Sequence, residues 1–130
     1  MTRDDVQAWL DRYIDAWRTY DPAAIGDLFA EDAEYRYRPG DEPVRGREAI
    51  VRDWVAPEGN ASTRDEPDSW AAKYEPYAVE ADRAVAIGWS RYLASGETPE
   101  KRYHNCYLLE FDAQGRCRSF TEYFVLQRSS

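Results

Sequence analysis

Apolar residues recur at helical spacing in the first part of the chain and at alternate positions in the second. Between residues 4 and 19, Val6, Leu10, Tyr13, Ile14 and Trp17 fall on one side of a helix, with Asp4 and Asp5 near its positively polarised N-terminal end. Asp21-Pro22 reads as a cap followed by proline at the first helical position, and a short helix to about residue 30 places Ile25, Leu28 and Phe29 on one face. Residues 33–38 alternate and predict a strand, and residues 39–43, Pro-Gly-Asp-Glu-Pro, a turn. A third helix is predicted over residues 46–55, with Ile50, Val51 and Trp54 apolar, and residues 56–69 read as a mobile loop. The remainder has strand character over residues 70–80, 84–95, 101–112 and 116–127, broken by Ala81-Asp82-Arg83, Gly96-Glu97-Thr98-Pro99 and Asp112-Ala113-Gln114-Gly115. Helices followed by a meander of strands predict one α+β domain spanning residues 1–130, with helices packed on one face of a curved antiparallel sheet.

Composition changes this picture in one respect. Ten Tyr and five Trp outnumber four Phe, so much of the interior must be amphipathic, and buried Tyr and Trp need polar partners or a wet cavity to face. A net charge of −8 argues against nucleic acid and against an anionic membrane surface as partners. The chain has no apolar run of the ~20 residues that a membrane span requires, and its N-terminus does not read as a signal peptide, so a cytoplasmic location is expected. Cys106 and Cys117 give no metal-site spacing, and a single histidine, His104, removes most zinc and Ser-His-Asp chemistry.

Two segments resemble the nuclear-transport-factor-2-like (SnoaL-like) superfamily, which includes ketosteroid isomerase, SnoaL-type polyketide cyclases and limonene epoxide hydrolase. The first is Tyr20-Asp-Pro-Ala-Ala-Ile-Gly-Asp-Leu-Phe-Ala-Glu-Asp-Ala33, continued through Pro43-Val-Arg-Gly46-Arg-Glu-Ala-Ile50. The second is Leu109-Glu-Phe-Asp-Ala-Gln-Gly115-Arg-Cys-Arg-Ser-Phe-Thr-Glu122-Tyr-Phe124. The resemblance implies a cone-shaped curved antiparallel sheet with three N-terminal helices packed on its concave face, enclosing a side-chain-lined pocket. Function does not follow from the fold, which hosts several chemistries and members with none.

Strand periodicity gives an independent estimate of what lines such a pocket. With Asp112–Gly115 as a hairpin turn, Phe111 pairs with Arg116, Asn105 falls opposite Glu122, Tyr107 faces Phe120 and Tyr103 faces Phe124. On the preceding strand Val85, Ile87, Trp89 and Leu93 are bulky while Ala84, Ala86, Gly88 and Ser90 are small, so the odd set is expected to face the core. A hairpin centred near Thr98 then pairs Arg91 with Asn105 and Trp89 with Tyr107. Arg91, Asn105 and Glu122 would sit side by side, facing inward among aromatic rings. Two readings of this cluster stand together: a buried ion pair that fixes strand register, or a site in which Glu122 is the acid or base, Arg91 stabilises developing negative charge and Asn105 positions water or substrate.

The resemblance implies more about these positions. Ketosteroid isomerase needs two carboxylates where this chain carries Tyr37 and Tyr107, and only Tyr13 matches its oxyanion-donating tyrosine, which argues against steroid-type isomerisation. Glu122-Tyr123-Phe124 occupies the place of the aspartate before Tyr-Phe in limonene epoxide hydrolase. Tyr35 resembles that enzyme's water-positioning tyrosine, with Asn105 as a substitute for its asparagine and Arg91 as the remnant of an Arg-x-Asp pair. Glu122, Arg91, Asn105 and Tyr35 are therefore the candidate catalytic residues. Tyr13, Trp17, Tyr37, Trp54, Trp89, Tyr103, Tyr107, Phe120 and Phe124 are the candidate lining. The expected activity is cofactor-free and metal-free acid/base chemistry of hydrolase, cyclase or isomerase type on a largely apolar small molecule; a non-catalytic binding module or a dimeric scaffold of the same fold is the alternative.

Other residues carry structural expectations. His104, Cys106 and Cys117 should point outward, the thiols unpaired. Glu58, Arg64, Asp65, Glu66 and Asp68 read as solvated charges in a region where a lid would lie. Ala86, Gly88, Ser90, Tyr92 and Ala94, with Cys106, Leu108, Thr121, Tyr123 and Val125, are expected to form a flat outer sheet face that pairs with a second copy to give a homodimer.

Overall fold

The computed structural model describes residues 1–55, 68–94, 96–97 and 99–128. Helix α1 (Arg3–Thr19) starts at Thr2, whose hydroxyl oxygen accepts the Asp5 N–H at 3.1 Å while the Asp5 carboxylate accepts the Thr2 N–H at 2.9 Å. This reciprocal pair satisfies two of the N–H groups that a helix start leaves open. Its apolar face buries Val6, Trp9, Leu10, Tyr13 and Ala16. Helix α2 (Pro22–Leu28) follows, with Pro22 in its first turn and Asp21 at the cap position without a side-chain cap bond. The Trp9 indole N–H donates to the Leu28 carbonyl at 3.0 Å and ties α1 to the end of α2.

The chain passes directly from α2 into strand β1 (Phe29–Arg36), earlier than the alternation of residues 33–38 suggests, because Phe29 and Ala30 are also buried. A two-residue strand, β2 (Val44–Arg45), pairs with β1 and leads through Gly46 (φ +91°) into α3 (Arg47–Val55). Only glycine takes that backbone angle without strain. Strands β3 (Trp70–Glu80), β4 (Arg83–Tyr92), β5 (Lys101–Phe111) and β6 (Cys117–Leu126) complete a curved, unclosed sheet in the order β2-β1-β6-β5-β4-β3. All neighbours are antiparallel except β1 and β6. The α+β class, the three helices and the meander agree with the sequence-based expectation. Among the described residues no helix is long and apolar enough to cross a membrane.

Two registers differ from those expected, with different consequences. Along β5 and β6, Tyr107 lies opposite Glu122 and Asn105 opposite Phe124. The turn shifts the pairing by one residue, so that Phe111 meets Cys117, and a bulge that pairs Glu110 with Ser119 adds a second, so the displacement is even and the inward set is unchanged. Before the bulge only the odd shift applies: Cys117 is fully buried rather than outward, and burial pushes its thiol up to about 12. Along β4 and β5, Gly88 rather than Arg91 lies opposite Asn105. That displacement is odd and exchanges the faces of β4. Ala84, Ala86 and Ser90 are buried inward, whereas Val85, Ile87, Trp89 and Arg91 belong to the outer face. The cause is space. Rings of Tyr74, Tyr107 and Tyr13 crowd the concave side, where β4 presents only small side chains.

Candidate functional site

The inward faces of β4, β5 and β6 converge on one polar chain. Ser90, 3% exposed, donates from Oγ to Asn105 Oδ1 at 3.0 Å. Asn105, 6% exposed, donates from Nδ2 to Glu122 Oε2, also at 3.0 Å. Asn105 and Glu122 are diagonal neighbours across β5 and β6, a separation that long polar side chains span. Glu122 accepts no other hydrogen bond and joins no salt bridge among the described residues. Desolvation raises its carboxyl to about 7, and the Asn105 hydrogen bond opposes that rise.

Beneath this chain lies a cluster of phenol groups. Tyr13 and Tyr35 share a hydrogen bond of 3.2 Å between their hydroxyls. The Tyr107 ring lies 5.8 Å from that of Tyr13 and 4.9 Å from that of Tyr74. Hydrogen bonds thus run from Tyr35 to Tyr13 and from Ser90 through Asn105 to Glu122, with Tyr74 and Tyr107 packed beside Tyr13. Desolvation pushes the hydroxyls of Tyr13, Tyr35, Tyr74 and Tyr107 well above the ordinary tyrosine value, and the Glu122 charge adds to each rise. These phenols stay neutral and offer hydrogen bonds. The excess of Tyr over Phe thus has a physical use, since buried hydroxyls such as those of Tyr13 and Tyr35 satisfy one another.

The other expected site residues separate into three groups. Tyr13, Tyr35, Tyr107 and Phe120 are buried in the floor; Tyr35 and Phe120 stack at 4.3 Å, and Trp54 stands edge-on to Tyr13 at 5.3 Å. Tyr37, Tyr103, Phe124 and Trp17 lie at the outer end. Tyr37 donates to Asp53 Oδ2 at 2.5 Å, Tyr103 meets Phe124 edge-on at 5.7 Å, Arg38 covers Phe124 at 5.3 Å, and Trp17 stacks on Trp70 at 3.7 Å. Tyr37 and Phe124 are 41% and 39% exposed, so the half-buried Glu122 sits where the aromatic interior meets solvent.

Arg91 and Trp89 are the exceptions. Arg91 faces outward and pairs with Glu100 at 3.3 Å, and Trp89 lies on the outer face under the Arg102 guanidinium at 4.9 Å. Neither joins Glu122, because the odd register shift turns both away. The expected Arg91–Glu122 ion pair does not form, which leaves desolvation unopposed by a cation. Ser90 stands in the position expected for Arg91, and Tyr74 is the other site residue that strand alternation missed. The run of small residues at 84, 86, 88 and 90 was the available signal, since small side chains mark a strand face pressed against large ones. His104 is exposed and bonds to Gln127, outward as expected. Of the charges expected near a lid, Glu58, Arg64, Asp65 and Glu66 lie outside the described residues, and Asp68 is exposed.

Among the described residues no group of three or more His, Cys, Asp and Glu side chains is placed to hold a metal ion. A depression of about 780 Å³ between the start of α1 and the β5–β6 turn, and one of about 540 Å³ between α2 and α3, both lie away from Glu122.

Comparison with known proteins agrees with the expected superfamily. The family model of the SnoaL-like domain matches residues 10–120. No curated protein matches the sequence significantly. Among solved structures, the chain is similar to an NTF-2 like protein of unknown function from Burkholderia xenovorans LB400, at a TM-score of 0.66 and 16% identity, covering 98% of this chain and 88% of that one. At that identity the likeness is one of fold.

Proposed function

The chain belongs to the SnoaL-like domain family, and we propose that it performs acid/base chemistry on a largely apolar small molecule, with the Glu122 carboxyl carrying the proton. The observation that supports this reading is a half-buried carboxyl that has one hydrogen-bond partner and no cation among the described residues, at the open end of an aromatic interior. A carboxyl that titrates near neutrality gives and takes a proton at similar cost at physiological pH. Phenol groups supply neutral donors for an oxygen that gains charge during reaction. Asn105 orients Glu122, and Tyr37, Tyr103 and Phe124 offer ring faces to an apolar ligand. The chemistry needs no metal or organic cofactor and is of hydrolase, cyclase or isomerase type.

The test is a carbon-13 NMR titration of Glu122, assigned with Glu122→Gln. A midpoint near 7 is expected, and one at or below the ~4.3 of a free glutamate side chain would sink the proposal. Once a substrate is found in an epoxide and polyketide screen, Glu122→Gln should lose roughly 10²–10⁴-fold in turnover with little change in ligand affinity. A second reading, a binding module or scaffold, draws on the tight ring packing of Tyr13, Tyr35 and Phe120. Under it Glu122→Gln changes affinity or nothing.

A homodimer through the outer sheet face is also proposed, with that face recomposed by the register of β4. Val85, Ile87 and Trp89 join Cys106, Leu108 and Tyr123, and Leu108 and Tyr123 are each 43% exposed. Light scattering should give the mass of two chains, and Leu108→Asp, which sets a charge in the middle of the patch, the mass of one. A monomeric native protein would reject the pairing.

A further inference from the structure

Alternation along β4 placed Ser90 on the outer sheet face, yet it heads the hydrogen-bonded chain of the site. It is buried on β4 and donates to Asn105 Oδ1 at 3.0 Å. A hydroxyl has one proton to give. Ser90 gives that proton to Asn105. With its carbonyl occupied, Asn105 presents its NH₂ group to Glu122 Oε2. The flipped amide would set Oδ1 against a carboxylate oxygen, an unfavourable pair of acceptors while Glu122 is ionised. It would also leave Ser90 facing an N–H rather than a carbonyl.

The two oxygens of Glu122 are thereby made unequal. Oε2 accepts the Asn105 N–H, whereas Oε1 has no protein partner among the described residues. In the acid form of a carboxyl the carbonyl oxygen is the better acceptor, so the proton belongs on the other oxygen. We propose that Ser90 is a positioning residue for Glu122: its donation to Asn105 Oδ1 fixes the amide with Nδ2 toward Oε2, which confines the exchangeable proton to Oε1, the oxygen left free. This inference rests on the reading of Glu122 as proton carrier and identifies which of its atoms does the work. Without Ser90 the amide can turn over, and the acid proton can then be spent on a bond to Asn105 Oδ1 inside the protein.

The groups that face Glu122 keep the test clean. Among the described residues they are Tyr13 of α1, Tyr35 and Tyr37 at β1, Tyr74 of β3 and Tyr107 of β5, all with hydroxyls raised above the ordinary value. Asp53 of α3 meets Tyr37 rather than Glu122. The phenols remain neutral between pH 4 and 9, so a change in the Glu122 midpoint reports its own hydrogen bond.

Carbon-13 titration of native protein, Ser90→Ala and Ser90→Thr is the experiment. Because the Asn105 bond lowers the Glu122 midpoint, weakening it in Ser90→Ala should raise that midpoint by roughly half to one pH unit. Ser90→Thr, which keeps the hydroxyl, should bring it back. An unchanged midpoint in Ser90→Ala overturns the inference, as does a rise that Ser90→Thr fails to restore. A native midpoint at or below the ~4.3 of a free glutamate side chain removes the acid/base reading itself. A native midpoint near 7 with no response in Ser90→Ala removes only the role of Ser90. Should Ser90→Ala fail to fold, the Asn105 side-chain amide protons of the native protein decide: one of them must shift with the Glu122 midpoint, and the absence of any such shift overturns the inference.

Discussion

Glu122→Gln is expected to make the protein more stable than the native chain at pH 8, by about 2 kcal/mol, and to leave stability nearly unchanged at pH 4. The native carboxyl has its folded-state value raised from 4.5 to about 7 by burial. The folded protein therefore binds this proton more tightly than the unfolded chain does. The contribution of Glu122 to stability is fully present below pH 4.5, declines as pH rises toward 7, and above that becomes a constant cost of holding a carboxylate in a poorly solvated place. Each pH unit is worth about 1.4 kcal/mol, and partial access to water trims the sum to about 2 kcal/mol. Glutamine carries no charge, fills the same space and still accepts the Asn105 N–H, so it lacks the decline altogether. Urea denaturation of both proteins at pH 4, 6 and 8 measures the difference, and other titrating groups cancel between them. Parallel pH dependences in the two proteins would mean that Glu122 is solvated, and the proposed proton carrier would be lost with it.

Strand register explains why the site was only half legible in the sequence. Inward placement of Asn105, Tyr107, Phe120 and Glu122 could be read from alternation because the bulge near Cys117–Ser119 and the turn together displace β6 by an even number of residues. Cys117, within the bulge itself, could not. On β4 the pattern misled: bulk at Val85, Ile87 and Trp89 looked like core, and smallness at Ala84, Ala86, Gly88 and Ser90 looked like surface. Which face of a strand is inside depends on what occupies the volume opposite, and that volume is filled by Tyr13, Tyr74 and Tyr107 from other elements. An odd shift in one hairpin then exchanged Arg91 for Ser90, and with it an ion pair for a neutral hydrogen-bonded chain. The consequence is chemical. Beside an arginine, Glu122 would be held ionised, whereas beside Ser90, Asn105 and phenols it is held near neutrality. The helices were legible because Val6, Leu10, Tyr13 and the Pro22 start signal depend only on neighbours within a few residues.

The same crowding makes Gly88 the position least tolerant of a side chain. At an ordinary strand site, replacing glycine by alanine stabilises by about 0.4–1 kcal/mol, because the unfolded chain loses freedom. Gly88→Ala should instead destabilise by about 3 kcal/mol or more. A Cβ on Gly88 would lie 1.9 Å from the Lys73 carbonyl oxygen, 2.5 Å from Tyr74 Cδ1 and 2.8 Å from Tyr74 Cα. Two of these are backbone atoms of the paired strand, which yield only if β3 and β4 separate, so the cost reaches the upper end of overpacking substitutions. Tyr74 would be displaced in the process, and its ring contacts with Tyr13 and Tyr107 beside the site would go with it. The variant should therefore lose stability and also disturb the Glu122 titration. Gly115→Ala, at a turn with nothing within 4 Å but a φ of +80°, separates the two kinds of glycine. It should cost about 1 kcal/mol from backbone strain alone and leave Glu122 titrating as before. A Gly88→Ala protein as stable as the native one would mean that β3 and β4 pair in a different register, and the inward placement of Ser90 would fall with it.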